Sequence, residues 1–391
     1  MAKRSPEFLL CFLIVGLCMT FWGCGNGSSH FCGLACGTSS QDSPLLYATT
    51  TSNQILGFSI ASTGALTPIA STAGPANSHS TAGVYGAVLF SDSSSNEVVV
   101  ESVAFSTGAL TPFPDSPFTL GSAPGGPNSI LVGPAGPGGN LYASEPNGTI
   151  VGYSDPGAVP MTALPGSPYA AGIAPTQMAI AFLTSSSSRA GSLYASDSGN
   201  SNGGILAFAI ASDGSLSPIA GSPFATAANA GPSYLLNTAN SGGNQFLFVS
   251  LSNAGQIAGF GIDNTTGALI PVPGSPFTAG KGPGTLLNGP IANELLVINT
   301  GDHTVEAFNI ATNGVLTPIG SPVAVGTASG GMAFRPASAL SYSQLYTADT
   351  TASSIEIVNV DNSSGAISAG GTVSVSSPPL QLAVYDQFPL P

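Results

Sequence analysis

Residues 246–277 read FLFVSLSNAGQIAGFGIDNTTGALIPVPGSPF and carry three strands and two turns. Phe246–Val249 is a short apolar run with aromatic and β-branched content, the composition of a buried strand. Ile257–Ile262 sets the large side chains Ile257, Phe260 and Ile262 against Ala and Gly, and Leu269–Val272 is a third apolar run. Asn253–Gly255 separates the first two runs and Asn264–Gly267 the last two, with Gly267 supplying the positive φ that a short hairpin loop needs. Pro271 and Pro273 mark the third run as a strand with one unpaired edge, since proline cannot donate to a ladder. Gly274–Phe277 then reads as an exit turn toward the next unit.

The unit recurs. LYATT at Leu46, LFSD at Leu89, LYASE at Leu141, LYASD at Leu193, LFVS at Leu247, LVIN at Leu296 and LYTAD at Leu345 are seven copies of the first run, 43 to 54 residues apart. The turn and third strand return at Gly64–Pro68, Gly108–Pro112, Gly214–Pro218, Gly267–Pro271, Gly314–Pro318 and Gly365–Ile367, with a degraded version around Gly157. The exit turn returns at Asp115–Phe118, Gly166–Tyr169, Gly221–Phe224 and Gly320–Val323. Several short strands per repeat at this period predict an all-β, seven-bladed β-propeller with four-stranded blades. The interval before each copy holds one more strand, such as Ala174–Phe182, Gly231–Leu236 and Gly330–Phe334, which would be the innermost of its blade. Leu46 has no such strand before it. Pro379–Tyr385 fits the pattern after the seventh blade, so the C-terminal strand is expected to complete the first blade and close the ring, removing an open sheet edge.

At this point the chain resembles the lactonase-like seven-bladed propellers, which include the propeller-type 6-phosphogluconolactonases and the YVTN-repeat proteins. The resemblance rests on the LY strands, the following x-x-x-F-x-I strand, the T-G-x-L-T-P turn and the G-S-P-F segment, and spans nearly all of 44–391. It implies the fold, and it implies lactone hydrolysis as one activity. These motifs are architectural and name no catalytic group.

Residues 1–24 read as an export signal of lipoprotein type: Lys3 and Arg4, an uncharged apolar run from Phe8 to Phe21, then Gly23 and Cys24, the residue to be lipidated. The run falls short of the ~20 residues of a spanning helix. Phe21 and Trp22 depart from the usual Leu and small residue before the cysteine, which keeps ordinary secretion or an uncleaved anchor open. Residues 25–43 are a Gly/Ser-rich tether. All five cysteines lie in the first 36 residues; Cys32 and Cys36 are a disulfide candidate in an oxidising compartment or else free thiols. The expected location is the bacterial cell envelope, with membrane contact through the lipid alone.

The net charge is −13 although only 6% of residues are charged. Beyond the leader the bases are Arg189, Lys281 and Arg335. Nucleic-acid binding requires many phosphate-neutralising cations, so that class is excluded. The expected partner is a carbohydrate, cell-wall or protein ligand, and the expected state a monomer. Strand order puts the turns between second and third strands, and the links between blades, on one face. Only Lys281 among the body's bases falls there, which is thin for a phosphorylated sugar acid.

That face carries acids after the LY strands. Asp92, Glu145, Asp197 and Asp349, with Asn299 and Ser250 at equivalent places, form a candidate ligand ring. Such a ring is either an oxygen-rich cation site, for Ca2+, or a set of acid/base groups, or simply turn residues accepting backbone N–H bonds. The best non-repeating cluster is Asp302 and His303 with Glu306, beside Asn299. His303 is a candidate general base for lactone opening with Lys281 as an oxyanion or carboxylate contact, or an ordinary turn residue. His79 is the only other body histidine. No G-x-S-x-G elbow, H-E-x-x-H pair or phosphate-binding loop occurs. Two functions follow as expectations: a binding scaffold tethered to the envelope, or a lactonase for a neutral sugar lactone.

Overall fold

Seven antiparallel sheets, each of four or five strands, make up the computed structural model. It describes residues 44–385 except 79, 85–86, 105, 122–125, 134–138, 155–160, 183–188, 200–202, 241–242, 327–328 and 336–340. The leader, Cys24, the Cys32/Cys36 pair and His79 lie outside the described residues. No described helix is long and apolar enough to cross a membrane.

Blade 5 shows the plan: inner strand Pro232–Ala239, second strand Gln245–Leu251, third strand Gln256–Ile262 and outer strand Leu269–Pro271. The inner strands contact one another in sequence around the axis, and the last of them, Pro379–Tyr385, pairs with the second strand of blade 1, Leu45–Thr50. Leu46 faces Val384, Tyr47 faces Ala383 and Ala48 faces Leu382. The ring therefore closes with the C-terminal strand in blade 1, as the repeat arithmetic requires.

The second strands are near-continuous apolar runs because neighbouring blades cover both of their faces; Leu45–Thr50 and Gln245–Leu251 are buried along their whole length. Successive side chains enter the cores of two different blade seams: Leu193 packs toward blade 3 and Tyr194 toward blade 5. That alternation explains the tyrosine of the LY strands. Buried phenols need a partner. The hydroxyls of Tyr47, Tyr142, Tyr194 and Tyr346 donate to the carbonyls of Gly108, Gly214, Gly267 and Gly64, at 2.8, 2.6, 2.7 and 2.9 Å. Each acceptor is the positive-φ glycine of the next blade's outer turn. Burial pushes the phenols of Tyr47, Tyr142 and Tyr346 upward.

The expected exit turn does something else. After it the chain pairs again with the same third strand, so that Ile257 faces Phe277 while Phe260 faces Pro271. The outer strand is thus two short pieces, and the Ser-Pro turn spans the gap. Ser116, Ser167, Ser222 and Ser275 fill it with their hydroxyls, which accept the amides of Val100, Gly152, Ala207 and Gly259, each at 2.9 Å. A side-chain oxygen takes the place of the ladder carbonyl that the turn removes.

Near the face where they begin, the inner strands of blades 4 to 7 carry a register shift: between Pro175 and Met178, Pro232 and Leu235, Pro283 and Leu286, and Ser329 and Met332. A bulge leaves a carbonyl outside the ladder. Hydroxyls of the preceding blade take these carbonyls: Ser196 Oγ donates to Ser233 O at 3.2 Å, Ser250 Oγ to Gly284 O, and Thr285 Oγ1 to Gly330 O at 3.0 Å. A belt of hydrogen bonds thereby links neighbouring blades around the axis.

Candidate functional site

Register aligns the ring residues. Asp197 faces Pro175, Asn299 faces Pro283, and Asp349 faces Ser329, so they hold one position in their blades. Blade 5 corrects the sequence alignment here: Leu251 faces Pro232, so Leu251 holds the ring position and Ser250 belongs to the hydroxyl belt one residue earlier. The same register starts the blade-6 copy at Leu295 instead of Leu296. Phe248 and Leu296 stand where Tyr142, Tyr194 and Tyr346 stand in other blades, so the leucine–tyrosine pair does not mark the register of these two strands.

The polar ring members face incoming backbone. Asp92 Oδ2 accepts Ala76 N at 2.9 Å and its Oδ1 accepts Ser94 N at 2.9 Å. Asp197 Oδ1 accepts Ala174 N at 3.0 Å, and both its oxygens lie 3.2 Å from Ile173 N. Asp349 Oδ1 accepts Thr351 N and Ala352 N at 2.9 and 3.0 Å. Glu145 Oε2 accepts Thr149 Oγ1 at 2.8 Å, and Asn299 Nδ2 donates to Thr304 Oγ1 at 3.3 Å. The link between blades runs so close to the ring that a Cβ on Gly172 would lie 2.3 Å from Asp197 Oδ2, and one on Gly326 1.8 Å from Asp349 Oδ2. Glycine precedes these links because the carboxylate occupies the side-chain space. Donors one per blade, turned to amides and hydroxyls, do not fit a calcium site, which needs six to eight oxygens on one ion; no three described His, Cys, Asp or Glu side chains gather as metal ligands.

In blade 6, Asp302 and Glu306 hold the Gly280–Lys281 link. Lys281 N donates to Asp302 Oδ2 at 2.7 Å, Lys281 Nζ lies 3.8 Å from Asp302 Oδ1, and Gly280 N donates to Glu306 Oε2 at 3.2 Å. The Lys281 side chain is 84% exposed, so the pair contributes little to stability. His303 has φ +57°, immediately before the third strand Thr304–Ile310. Asn53, Asn96, Gly148, Gly255 and Ser353 hold that left-handed position in other blades. Its carbonyl accepts Val325 N at 2.8 Å, as those of Asn53, Asn96, Gly148, Gly255 and Ser353 accept the link of their own blades. Its Nδ1 is shielded from solvent without a hydrogen-bond partner among the described residues. Arg335 lies on the opposite face, donating to Ala61 O and Gln344 Oε1, both at 3.2 Å.

Three half-buried side chains at the start of the inner strands are absent from the sequence-derived set: Gln177, Tyr234 and Gln381. They stand on the ring face around the axis, two residues after Pro175, Pro232 and Pro379. Burial raises the Tyr234 phenol to about 12, so it acts at neutral pH as a hydrogen-bonding group and not as a base. The recurring Pro-x-polar signature was the available signal.

These features define a seven-bladed propeller whose ring-face acids accept backbone amides or, at Glu145, a threonine hydroxyl. No protein-family model matches the chain, and no curated protein sequence does. Solved structures share the fold. A periplasmic gluconolactonase from Pseudomonas aeruginosa aligns with TM-score 0.69 at 16% identity, covering 88% of this chain and 99% of that one. A candidate 6-phosphogluconolactonase from Bacteroides fragilis aligns with TM-score 0.67 at 18% identity over 90% and 100%. A protein from Lactobacillus plantarum gives 0.66 at 19% over 88% and 99%. At such identities the likeness establishes the fold alone.

Proposed function

We propose that the chain is an envelope-anchored binding scaffold, exported by residues 1–24, lipidated at Cys24 and presenting its ring face to a carbohydrate, cell-wall or protein partner. One observation carries this reading: the acids repeated on that face accept amides or hydroxyls of the links and turns, so their recurrence is explained by blade assembly. The polar groups left around the axis, Gln177, Tyr234 and Gln381, are neutral hydrogen-bonding side chains suited to an uncharged ligand. The envelope location is supported by the leader and by the periplasmic gluconolactonase of the same fold.

A second reading, hydrolysis of a neutral sugar lactone, is favoured by the shared fold of that gluconolactonase and by His303, next in sequence to Asp302, which pairs with Lys281. Acid release from a panel of neutral and phosphorylated sugar lactones, measured on the exported chain with and without Ca2+, separates the two. The scaffold reading expects a flat panel from folded protein. Turnover abolished by His303→Ala overturns it and puts a catalytic site on blade 6.

A further inference from the structure

Blade 5 opens a cavity of about 260 Å3 on the face opposite the acidic ring. Its walls are the third and outer strands of blade 5, the turn at Asn244–Phe246, and Thr312–Asn313 of the next blade. Asn240 Nδ2 ties the two blades together there by donating to Thr312 O at 3.0 Å.

The cavity arises where blade 5 departs from its own repeat. One cross-strand pair reads Ser59/Thr67, Ser102/Thr111, Ala209/Ser217 and Asn309/Thr317 in four other blades; in blade 5 it reads Gly261/Ile270. Ile270 is 59% exposed, one of the few large apolar side chains so placed. A Cβ on Gly261 would meet nothing nearer than Ile270 O at 3.8 Å, so the missing side chain leaves open space and relieves no clash. Repetition explains a residue by architecture; this pair breaks the repetition and adds neither packing nor a turn.

The lining chemistry narrows the ligand. Phe246, Ile270 and Val272 give an apolar floor, and the amides of Asn244, Asn264 and Asn313 stand around it, while the Gln245 amide turns to the preceding blade and donates to Phe182 O. Asn264 Oδ1 is shielded from solvent and has no hydrogen-bond partner among the described residues. No ionisable side chain lines the cavity. An anion would find no cation, and a wholly apolar ligand would leave Asn264 Oδ1 unpaired at a cost of about 1–3 kcal/mol. A sugar ring meets both demands, with a C–H face for the floor and hydroxyls for the amides. The volume lies below the roughly 300–1,000 Å3 of drug-sized pockets, as a small ligand requires.

We propose that this cavity is a saccharide-binding site, taking one neutral sugar unit with its apolar face on Ile270 and Phe246 and its hydroxyls on the surrounding amides. It does not depend on the ring face, so the lactone panel does not bear on it. The test is saturation-transfer NMR and calorimetry on the whole exported chain. The probes are maltose, cellobiose, lactose and di-N-acetylchitobiose, with glucuronate and a blocked Leu-Pro-Leu-Pro peptide as competitors. At least one neutral disaccharide should saturate, and glucuronate should not. Gly261→Asn, which installs the residue of blade 6, should weaken binding at least tenfold by filling the space. Ile270→Thr, which restores the usual hydroxyl, should weaken it severalfold. Both variants use residues this repeat already tolerates, so unchanged melting keeps the comparison valid. Silence across all four sugars, binding indifferent to Gly261→Asn, or saturation by the peptide alone would each overturn the proposal.

Discussion

Glu294 stands at the start of a blade-6 second strand, beneath the outer turn of blade 7, where a Cβ on Gly365 would lie 2.7 Å from its Oε1. Other blades put Leu45, Asn140, Ser192, Phe246 and Gln344 under the corresponding glycine, and Glu294 alone is ionisable. It is 1% exposed, Oε1 has no hydrogen-bond partner among the described residues, and Ile291 N reaches Oε2 only at 3.4 Å. The acid on the facing turn, Asp361, is occupied by the hydroxyls of Ser363 and Ser364 at 2.6 and 2.8 Å. Burial pushes the Glu294 carboxyl up to about 8, and the same cause takes Glu101 to about 7. A raised carboxyl means that the folded chain keeps a proton which the unfolded chain has lost. Its stability contribution is therefore complete below about 4.5 and declines as pH rises through about 8. Glu294→Gln, copying Gln344, should raise stability by roughly 4 kcal/mol more at pH 8 than at pH 4.5, at roughly 1.4 kcal/mol per pKa unit. Denaturant midpoints at the two pH values check this; an equal shift at both assigns the effect to packing. None of this was legible beforehand, because the seam position follows from which residue the next blade lays over it. The LY tyrosines were legible as a pattern, but their carbonyl partners lie 61 to 73 residues onward, or 282 residues back for Tyr346.

Within a blade, the outer strand is the element that sequence reading understood least. Leu269–Pro271 and Phe277–Thr278 lie on the same third strand with the Ser-Pro turn between them. Pieces of three and two residues carry too little periodicity to be recognised as one strand. The serine looked like turn chemistry, whereas its hydroxyl is the acceptor for a third-strand amide. Ser275→Ala leaves Gly259 N without that acceptor, and should cost about 1–2 kcal/mol. Ser275→Thr, which keeps the oxygen, should recover most of it. Chemical denaturation of the two variants checks the pair of expectations, and equal losses would point to crowding instead of the hydrogen bond. The ring acids illustrate the converse. Glu145, Asp197 and Asp349 stand four residues after the leucine of their LY strands and Asp92 three after Leu89, while their partners, the amides and hydroxyls of links and turns, emerge only when the blades are assembled.

At the scale of the molecule, closure is the feature that the repeat count specified most firmly, since seven second strands with one inner strand missing at the start and one spare at the end admit a simple solution. In that solution Pro379–Tyr385 makes blade 1 from both ends of the chain, and Gln381 N reaches Thr49 Oγ1 at 3.2 Å across the join. The hydroxyl of Tyr346 adds a second tie by donating to Gly64 O. Two variants separate the strand itself from the way it is connected. Removal of 379–391 strips blade 1 of its inner strand and exposes Leu46 and Ala48, both now fully buried, leaving an open edge next to an apolar surface. That chain is expected to aggregate or to lose cooperative unfolding. A circular permutant joining Tyr385 to Leu45 by a short loop, with new termini in 375–378, keeps every strand and makes blade 1 an ordinary blade. The partners are already in register, Tyr385 opposite Leu45, so the loop spans one hairpin end. This permutant should retain the β spectrum and unfold cooperatively at lower denaturant, because the junction of blades 7 and 1 is then held by side-chain packing and the Tyr346 and Arg335 bonds, without a sheet built from both chain ends. A permutant as stable as the native chain would show that the shared sheet contributes nothing beyond the strand it supplies.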